Sequence, residues 1–128
     1  MYQKLNLFQV AGAMAEHAGR RQAVVAMNIA NADTPRFRAM QLPSFQDVYA
    51  KSTVGAMHAT RPDHIGADAD ARLRADVTPS PTEPSPNGNS VSLEDEMLAA
   101  VAVSREHNRA LAIYRHGMTV LRTVVGQR

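Results

Sequence analysis

The fold is decided by the C-terminal stretch SLEDEMLAAVAVSREHNRALAIYRHGMTVLRTVV, residues 92–125. Apolar or small residues recur there at alternating steps of four and three, the heptad spacing of a helix that packs against another helix. Ser92 is a candidate N-cap, with Asp95 in the position where a capping box usually has Glu or Gln. The heptad positions are Leu93, Met97, Ala100, Ser104, His107, Leu111, Tyr114, Met118, Leu121 and Val125.

The prolines divide the chain into parts. All seven lie between Pro35 and Pro86, so both ends lack the residue that most effectively breaks helices. At the N-terminal end, residues 5–30 place apolar and small side chains at steps of three and four, which predicts a second long helix. Its main row, which Gln22 interrupts, consists of Phe8, Ala11, Ala15, Ala18, Val25 and Ile29.

These patterns predict a mainly α fold, an elongated antiparallel pair of long N- and C-terminal helices. The pair is coiled-coil-like and has an irregular, Pro-rich middle segment. At 1.5 Å per residue the helices would be about 40 and 50 Å long, whereas a compact chain of this size has a radius of gyration of about 14 Å. We therefore expect a hairpin whose apolar surface is completed by neighbouring copies. A compact bundle of three or four shorter helices is the alternative.

We expect the whole chain to form one structural unit. In its middle, Ser44 with Asp47 predicts a cap for a short helix near residues 45–51. Residues 78–90 form a linker rich in Pro, Ser and Asn. The three parts of the unit are residues 1–34 (N-terminal helix and helix stop), 35–90 (irregular middle segment) and 91–128 (C-terminal heptad helix).

The composition excludes several classes of protein. There is no cysteine, which removes disulfides, thiol catalysis and thiolate zinc sites. Leu, Ile, Val and Phe supply only about 20% of the residues, too few for a thick core around an enzyme-like pocket. The net charge of +2 is too small to indicate nucleic acid or a membrane surface as a partner. No apolar run could span a bilayer, and no cleaved signal peptide is recognisable.

Catalytic motifs are also absent from the sequence. It contains no P-loop, no nucleophile elbow and no dinucleotide-binding glycine fingerprint. His58, Asp63 and His64 could converge on a metal ion, but their spacing is not that of a known metal centre, and solvated loop side chains are the favoured interpretation. We therefore predict that the chain is not an enzyme and has no catalytic residue, metal or cofactor.

The segment NIANADTPRF, residues 28–37, combines several signals that end a helix. Asn31 tolerates the left-handed conformation common just after a helix, and Asp33 and Thr34 can bond nearby backbone amides. Pro35 forbids continuation of the helix and favours an extended conformation at the residue before it. The segment therefore predicts the end of the first helix.

The same segment resembles the N-terminal signature of bacterial flagellar rod, hook and hook-associated axial proteins. Arg36 and Phe37 depart from that signature, since the family more often has Gly-Tyr there, and the loss of Gly puts the tight backbone turn in question. The residues that match the signature are Asn28, Ile29, Ala30, Asn31, Asp33, Thr34 and Pro35.

Two further elements follow in the order expected of this family. Thr60–Ile65 resembles a Thr…His-Ile element of proximal rod subunits, and residues 84–97 resemble the entry to their C-terminal helix. The resemblance runs over nearly the whole sequence. By it the chain is identified as a member of the flagellar basal-body rod proteins, as a proximal rod subunit. A sister subunit of the same proximal rod is the close alternative.

The resemblance implies a structural function. A rod subunit would transmit torque from the motor's membrane ring to the distal rod and hook, and it would be needed for flagellum assembly and motility. Its partners would be copies of itself, other flagellar rod proteins, membrane-ring and rod-base adaptor proteins, and the flagellar type III export apparatus. It would be exported without a cleaved signal peptide and would lie in the periplasmic part of the basal body.

The apolar rows of both helices are expected to pack against each other and against other subunits. A soluble helical adaptor that binds one partner through the same surface is the competing interpretation. The residues expected to pack between subunits are Phe8, Ala11, Ala15, Val25, Ile29, Leu93, Met97, Leu111, Tyr114, Met118, Leu121 and Val125.

Overall fold

Two long helices form the frame of the protein. The computed structural model describes residues 2–53, 73 and 75–126. Helix α1 spans Tyr2–Ala30 and helix α3 spans Leu93–Val125, and the predicted mainly helical fold with an irregular middle segment is confirmed. None of the helices described is long and apolar enough to cross a membrane. The elements between the two long helices are strand β1 (Met40–Gln41), helix α2 (Phe45–Thr53) and strand β2 (Thr78–Pro79).

Helices α1 and α3 pack side by side and run in opposite directions. Near the start of α1, the ring of Phe8 meets the ring of Tyr114 edge-on, with centroids 5.2 Å apart. Near the end of α1, Asn28 bonds to Glu96 in the first turn of α3. The contacts therefore follow reverse order along the two chain segments, as an antiparallel hairpin requires.

Helix α3 faces α1 with small side chains. Its buried residues recur every seven positions, so the predicted heptad spacing is present. The row is displaced by one residue from the predicted one, since each buried residue comes just before a predicted position, as Ala110 comes before Leu111. Small side chains occupy the row because they let two backbones approach closely, and larger residues then flank the contact. The buried residues of α3 are Val103, Ala110 and Gly117.

Much of the predicted heptad row is therefore exposed within this chain. Helix α1 covers one side of α3, and the predicted residues that lie further round the helix or near its ends remain in contact with solvent. The exposed members of the predicted set are Leu93, Met97, Ser104, Tyr114 and Val125 on α3, together with Ile29 on α1.

Helix α1 presents a mixed row to its partners. Ala11, Ala18 and Val25 of the predicted row are buried. Two polar residues, His17 and Asn28, are buried as well. A prediction based on apolar periodicity leaves such polar residues out, but here they lie in the buried face of α1.

A small second core lies beside the helix pair. The hydroxyl of Ser44 accepts a hydrogen bond from the backbone N–H of Asp47 and donates one to its carboxylate, so the predicted cap of α2 is present. The next residue of α2, Val48, packs with Leu42 and Ala75. Since Ala75 precedes β2, this cluster ties the returning chain to α2.

The linker of residues 78–90 returns along β1. Met40 lies opposite Pro79 and Gln41 opposite Thr78 in an antiparallel pair. Further along, the Ser92 hydroxyl accepts a hydrogen bond from the backbone N–H of Asp95, and this bond is the predicted cap of α3. The linker therefore has fixed points at both of its ends.

The close packing of the two long helices predicts opposite effects for two glycine substitutions. A Cβ atom on Gly117 would lie 2.9 Å from the Phe8 ring, whereas nothing lies within 4 Å of a Cβ on Gly12. We expect Gly117→Leu to lower the free energy of unfolding by about 2 kcal/mol through overpacking. The control Gly12→Ala should raise it by about 1 kcal/mol through helix propensity. Urea denaturation measures both, and a Gly117→Leu variant as stable as the parent chain would contradict this packing.

Candidate functional site

The signature segment lies where α1, β1 and α3 meet. Asn28 is 1% exposed at the C-terminal end of α1. Its amide nitrogen donates to the carbonyl of Met40 at 2.7 Å and to the carboxylate of Glu96 at 2.8 Å. Its amide oxygen accepts from the backbone N–H of Met40 at 3.0 Å. One side chain therefore satisfies both backbone groups of a strand residue and reaches the opposite helix.

The carboxyl of Glu96 is perturbed by this position. Partial burial raises its pKa above the usual range, the hydrogen bond from Asn28 opposes that shift, and the neighbouring Asp95 carboxylate adds to it. A raised pKa means that the folded protein holds the proton more tightly than the unfolded chain does. The contribution of this group to stability is therefore fully present in acid and is lost as the pH rises through its folded-state pKa.

Asn31 forms the helix stop itself. Its backbone N–H bonds to the carbonyl of Asn28 at 3.0 Å, and its side-chain amide donates to the carbonyl of Met27 at 2.8 Å. Its amide oxygen accepts from the hydroxyl of Thr34 at 3.2 Å. The remaining signature residues, Ile29, Ala30, Asp33 and Pro35, are exposed.

Asn89 fastens the helix stop to the linker, a role that the sequence reasoning did not assign. It is 3% exposed, and its amide nitrogen lies 3.0, 2.6 and 2.9 Å from the carbonyl oxygens of Asn31, Ala32 and Thr34. Its two N–H groups are shared among three acceptors. Its amide oxygen accepts from the backbone N–H of Val91 at 2.8 Å, so both polar atoms of the side chain have partners. The signal in the sequence that could have indicated this role is the position of Asn89 between the Asn87-Gly88 turn and the Ser92 cap.

The turn after the signature is present although Gly is absent from it. Arg36 has φ of +61°, the left-handed conformation that glycine adopts most easily. Its backbone N–H donates to the carbonyl of Asn87 at 3.1 Å, and a Cβ on Gly88 would lie 3.3 Å from its Cα. The turn therefore forms with Arg36 in place of the usual Gly, and the left-handed backbone of Arg36 costs about 1–2 kcal/mol.

The chemistry of this site is that of a clamp. Its buried polar side chains, Asn28, Asn89 and Ser90, bond to backbone groups of the neighbouring segments, and the Ser90 hydroxyl accepts from the backbone N–H of Ala39 at 2.8 Å. We call Asn28 and Asn89 the amide clamp. Within the described parts of the chain no group of three His, Cys, Asp or Glu side chains could hold a metal ion. His58, Asp63 and His64 lie outside the described residues, as does the Thr60–Ile65 element.

The residues expected to pack between subunits divide by exposure. Ala11 and Val25 are buried inside the chain, and a second group is half-buried along the edges of the helix contact: Phe8, Ala15, Leu111, Met118 and Leu121. The others are exposed, as described above. The sequence reasoning missed further exposed apolar residues because the single heptad row did not include them: Leu98, Val101, Val120 and Val124.

Removal of the Asn28 amide should destabilise the fold strongly. Asn28→Ala leaves the N–H and carbonyl of Met40 without their partner, and we expect a loss of about 2–3 kcal/mol in the free energy of unfolding. Asn31→Ala is the matched control, because its side-chain bonds are exposed, and it should cost about 1 kcal/mol or less. Urea unfolding followed by circular dichroism measures both. Equal losses in the two variants would contradict the central role of Asn28.

A glycine in place of Arg36 should stabilise the turn. Arg36→Gly removes the left-handed strain, and we expect a gain of about 1 kcal/mol after the greater freedom of glycine in the unfolded chain is allowed for. Arg38→Gly is the control at an exposed position without positive φ, where the same substitution should lower stability. Thermal melting of the two variants gives the comparison. A decrease in both would show that Arg36 is not held in the left-handed conformation in solution.

Comparison with known proteins agrees with this geometry. The sequence model of the family described as "Flagella basal body rod protein" matches residues 8–38, which contain most of α1, the helix stop and the turn. The flagellar basal body rod protein FlgB of Agrobacterium fabrum (strain C58 / ATCC 33970) is 34% identical over 125 residues, which cover 93% of each chain. The signature resemblance, the long helix pair and this relative point to one group of proteins. The chain belongs to the family of flagellar basal-body rod proteins, in which it is of the FlgB type.

Proposed function

We propose that this chain is a non-enzymatic structural subunit of the proximal flagellar rod. It transmits torque from the motor's membrane ring to the distal rod and hook, and it is needed for flagellum assembly and motility. Membership of the rod family supports this placement. The amide clamp supports a structural role, because its polar groups are consumed in holding backbone segments together.

The observation that carries the proposal is an exposed apolar surface at the start of α3. Leu93, Met97, Leu98 and Val101 are 48%, 60%, 71% and 51% exposed. We call these four residues the outer patch. They follow one another within three helical turns, so they form one continuous surface.

Helix α1 cannot cover the outer patch. Val101 lies two residues from the buried Val103, and at about 100° per residue the two side chains point to nearly opposite sides of α3. Burying an apolar side chain fully stabilises by about 1.5–3 kcal/mol, so covering four partly exposed ones provides a strong drive for association. A chain with so little apolar material leaves it outside only where a neighbour covers it.

The neighbours that cover the outer patch are copies of this chain and other rod proteins. Ile29, Tyr114 and Val125 are further exposed apolar residues through which subunits pack, and the half-buried Phe8, Ala15, Leu111, Met118 and Leu121 extend these surfaces. Ala11 and Val25 support the contact from inside the chain. The middle segment contacts the adjoining membrane ring, other rod proteins or both, and rod-base adaptor proteins are further partners of the chain. The flagellar type III apparatus exports the chain, and the chain resides in the periplasmic part of the basal body.

A charge in the outer patch should block assembly without unfolding the chain. Val101→Asp places a carboxylate where a neighbour must bury it, which is costly for an unpaired charge. Within the isolated chain the change should alter the free energy of unfolding by only about 0.5 kcal/mol, since the position is exposed. We expect loss of swimming and of assembled rods in cells that carry only this variant, with an unchanged melting temperature of the purified chain.

Asn108→Asp is the matched control for that experiment. It adds the same carboxylate to an exposed position of α3 outside the outer patch, and cells should continue to swim. If the Val101→Asp strain swims and has intact rods, the outer patch is not part of the subunit contacts. Fractionation tests the adaptor alternative: a rod subunit is found in purified basal bodies, whereas an adaptor is found in a soluble stoichiometric complex.

A further inference from the structure

His17 is a buried histidine with no hydrogen-bond partner. It lies in the middle of α1 and is 3% exposed, and neither ring nitrogen has a partner among the described residues. Its ring meets the ring of Phe45, the first residue of α2, at 5.6 Å and an interplanar angle of 65°. Phe45 in turn packs on Tyr49 at 5.9 Å. The histidine is therefore the point at which α1 holds the start of α2.

The charges around His17 oppose its protonation. Burial lowers its pKa below the usual 6.5, and Arg21 and, less strongly, Arg20 act in the same direction while Glu106 acts against them. Glu106 is already engaged, because both of its carboxylate oxygens accept from Arg21, at 2.8 and 3.0 Å. Arg20 donates to the carbonyl of Ala75 at 2.9 Å.

Among the residues that the structure describes, the remaining ionisable groups near this junction offer no acceptor to a charged ring. Next to Glu106 on α3, His107 has its own Nδ1 buried without a partner among the described residues. Glu16 lines a cleft of about 280 Å³ together with His17 and Arg20, but it is exposed. The charged residues of α2, Asp47 and Lys51, are exposed too.

We propose that His17 is an acid-sensitive latch that holds α2 against the helix pair. The neutral ring fits the apolar contact with Phe45. A proton on the ring creates a buried charge, beside two arginines, whose two N–H donors have no acceptor among the described residues. This state is relieved when α2 moves away and admits water. The inference concerns the single chain and stands apart from its assembly into a rod.

Helix α2 is suited to such release. It has nine residues, too few to be stable as an isolated helix, so it depends on its packing. That packing consists of the His17–Phe45 contact and the cluster of Val48 with Leu42 and Ala75. Since Arg20 bonds to the carbonyl of Ala75, both supports are anchored within one turn of α1. Opening at His17 therefore weakens the whole attachment of α2.

The direction of the pH dependence follows from the lowered pKa. Between the folded-state pKa and 6.5, the closed form binds fewer protons than the open form, so acid favours the open form. The closed state is fully favoured above pH 6.5. Below it, the equilibrium constant for opening rises by up to about tenfold per pH unit, until the closed form also takes up the proton.

Hydrogen exchange measured by mass spectrometry tests the latch on the full chain. We expect the protection of the α2 amides, corrected for intrinsic exchange, to fall up to about tenfold between pH 6.5 and pH 5.5. Amides around Val103 should keep their protection over the same range. In His17→Phe and His17→Gln, α2 should show no such fall, because no group at that position titrates.

His116→Gln is the control, since this histidine is exposed on α3 and its loss should leave the pH dependence intact. A separate readout, NMR titration of the His17 ring in the parent chain, should give a pKa below 6.5. Three results would overturn the latch: α2 protection that does not change with pH, a pH dependence that persists in both His17 variants, or a His17 pKa at or above 6.5. Should both variants fail to fold, the exchange profile and the titration of the parent chain decide.

Discussion

The structure depends on one buried amide, that of Asn28. Helices α1 and α3 could slide along one another if only their small residues were in contact, because Ala and Gly surfaces are smooth and repetitive. The bonds from Asn28 to Met40 and Glu96 fix one register at the end where the chain leaves α1. Buried polar groups are costly unless satisfied, and a slip of α3 by even one residue would break the hydrogen bond from Asn28 to Glu96. The amide thus selects one alignment from several of similar apolar burial.

The close approach of the two long helices determines which apolar residues of α3 are exposed. With Val103, Ala110 and Gly117 in the contact, the larger residues of α3 are displaced to its edges and to its far side. A chain in which about 20% of residues are Leu, Ile, Val or Phe would normally bury most of them. Here several remain exposed, which fits a protein whose burial is completed by other chains. The low apolar content and the exposed patch are thus two aspects of one architecture.

Local signals predicted the elements well, and long-range contacts account for what was missed. The proline-free ends, the Ser44 and Ser92 caps and the helix stop each act over a few residues, so the sequence revealed them. Asn28 and Glu96 are 68 residues apart, and Asn89 and Asn31 are 58 apart, so no pattern within one element could pair them. The heptad row was displaced by one residue because apolar size guided the prediction, whereas close helix packing favoured small residues. His17 and Asn28 were left out of the predicted packing row because that row was built from apolar and small residues.

The buried polar residues are of two kinds. The amides hold the helix register, whereas the histidine controls the attachment of α2. The amides of Asn28 and Asn89 cannot titrate, so their bonds to backbone groups do not depend on pH. The bond from Asn28 to Glu96 is the exception, because that carboxyl titrates. His17 can titrate and has no hydrogen-bond partner among the described residues, so in the proposed latch its contact is conditional on pH. The amides lie at the junction of α1, β1 and the linker, whereas the histidine lies three turns away at the start of α2. Acid that opens α2 would therefore leave the register of the long helices in place, because Asn28 does not titrate and Glu96, whose pKa is raised, makes its contribution to stability in acid.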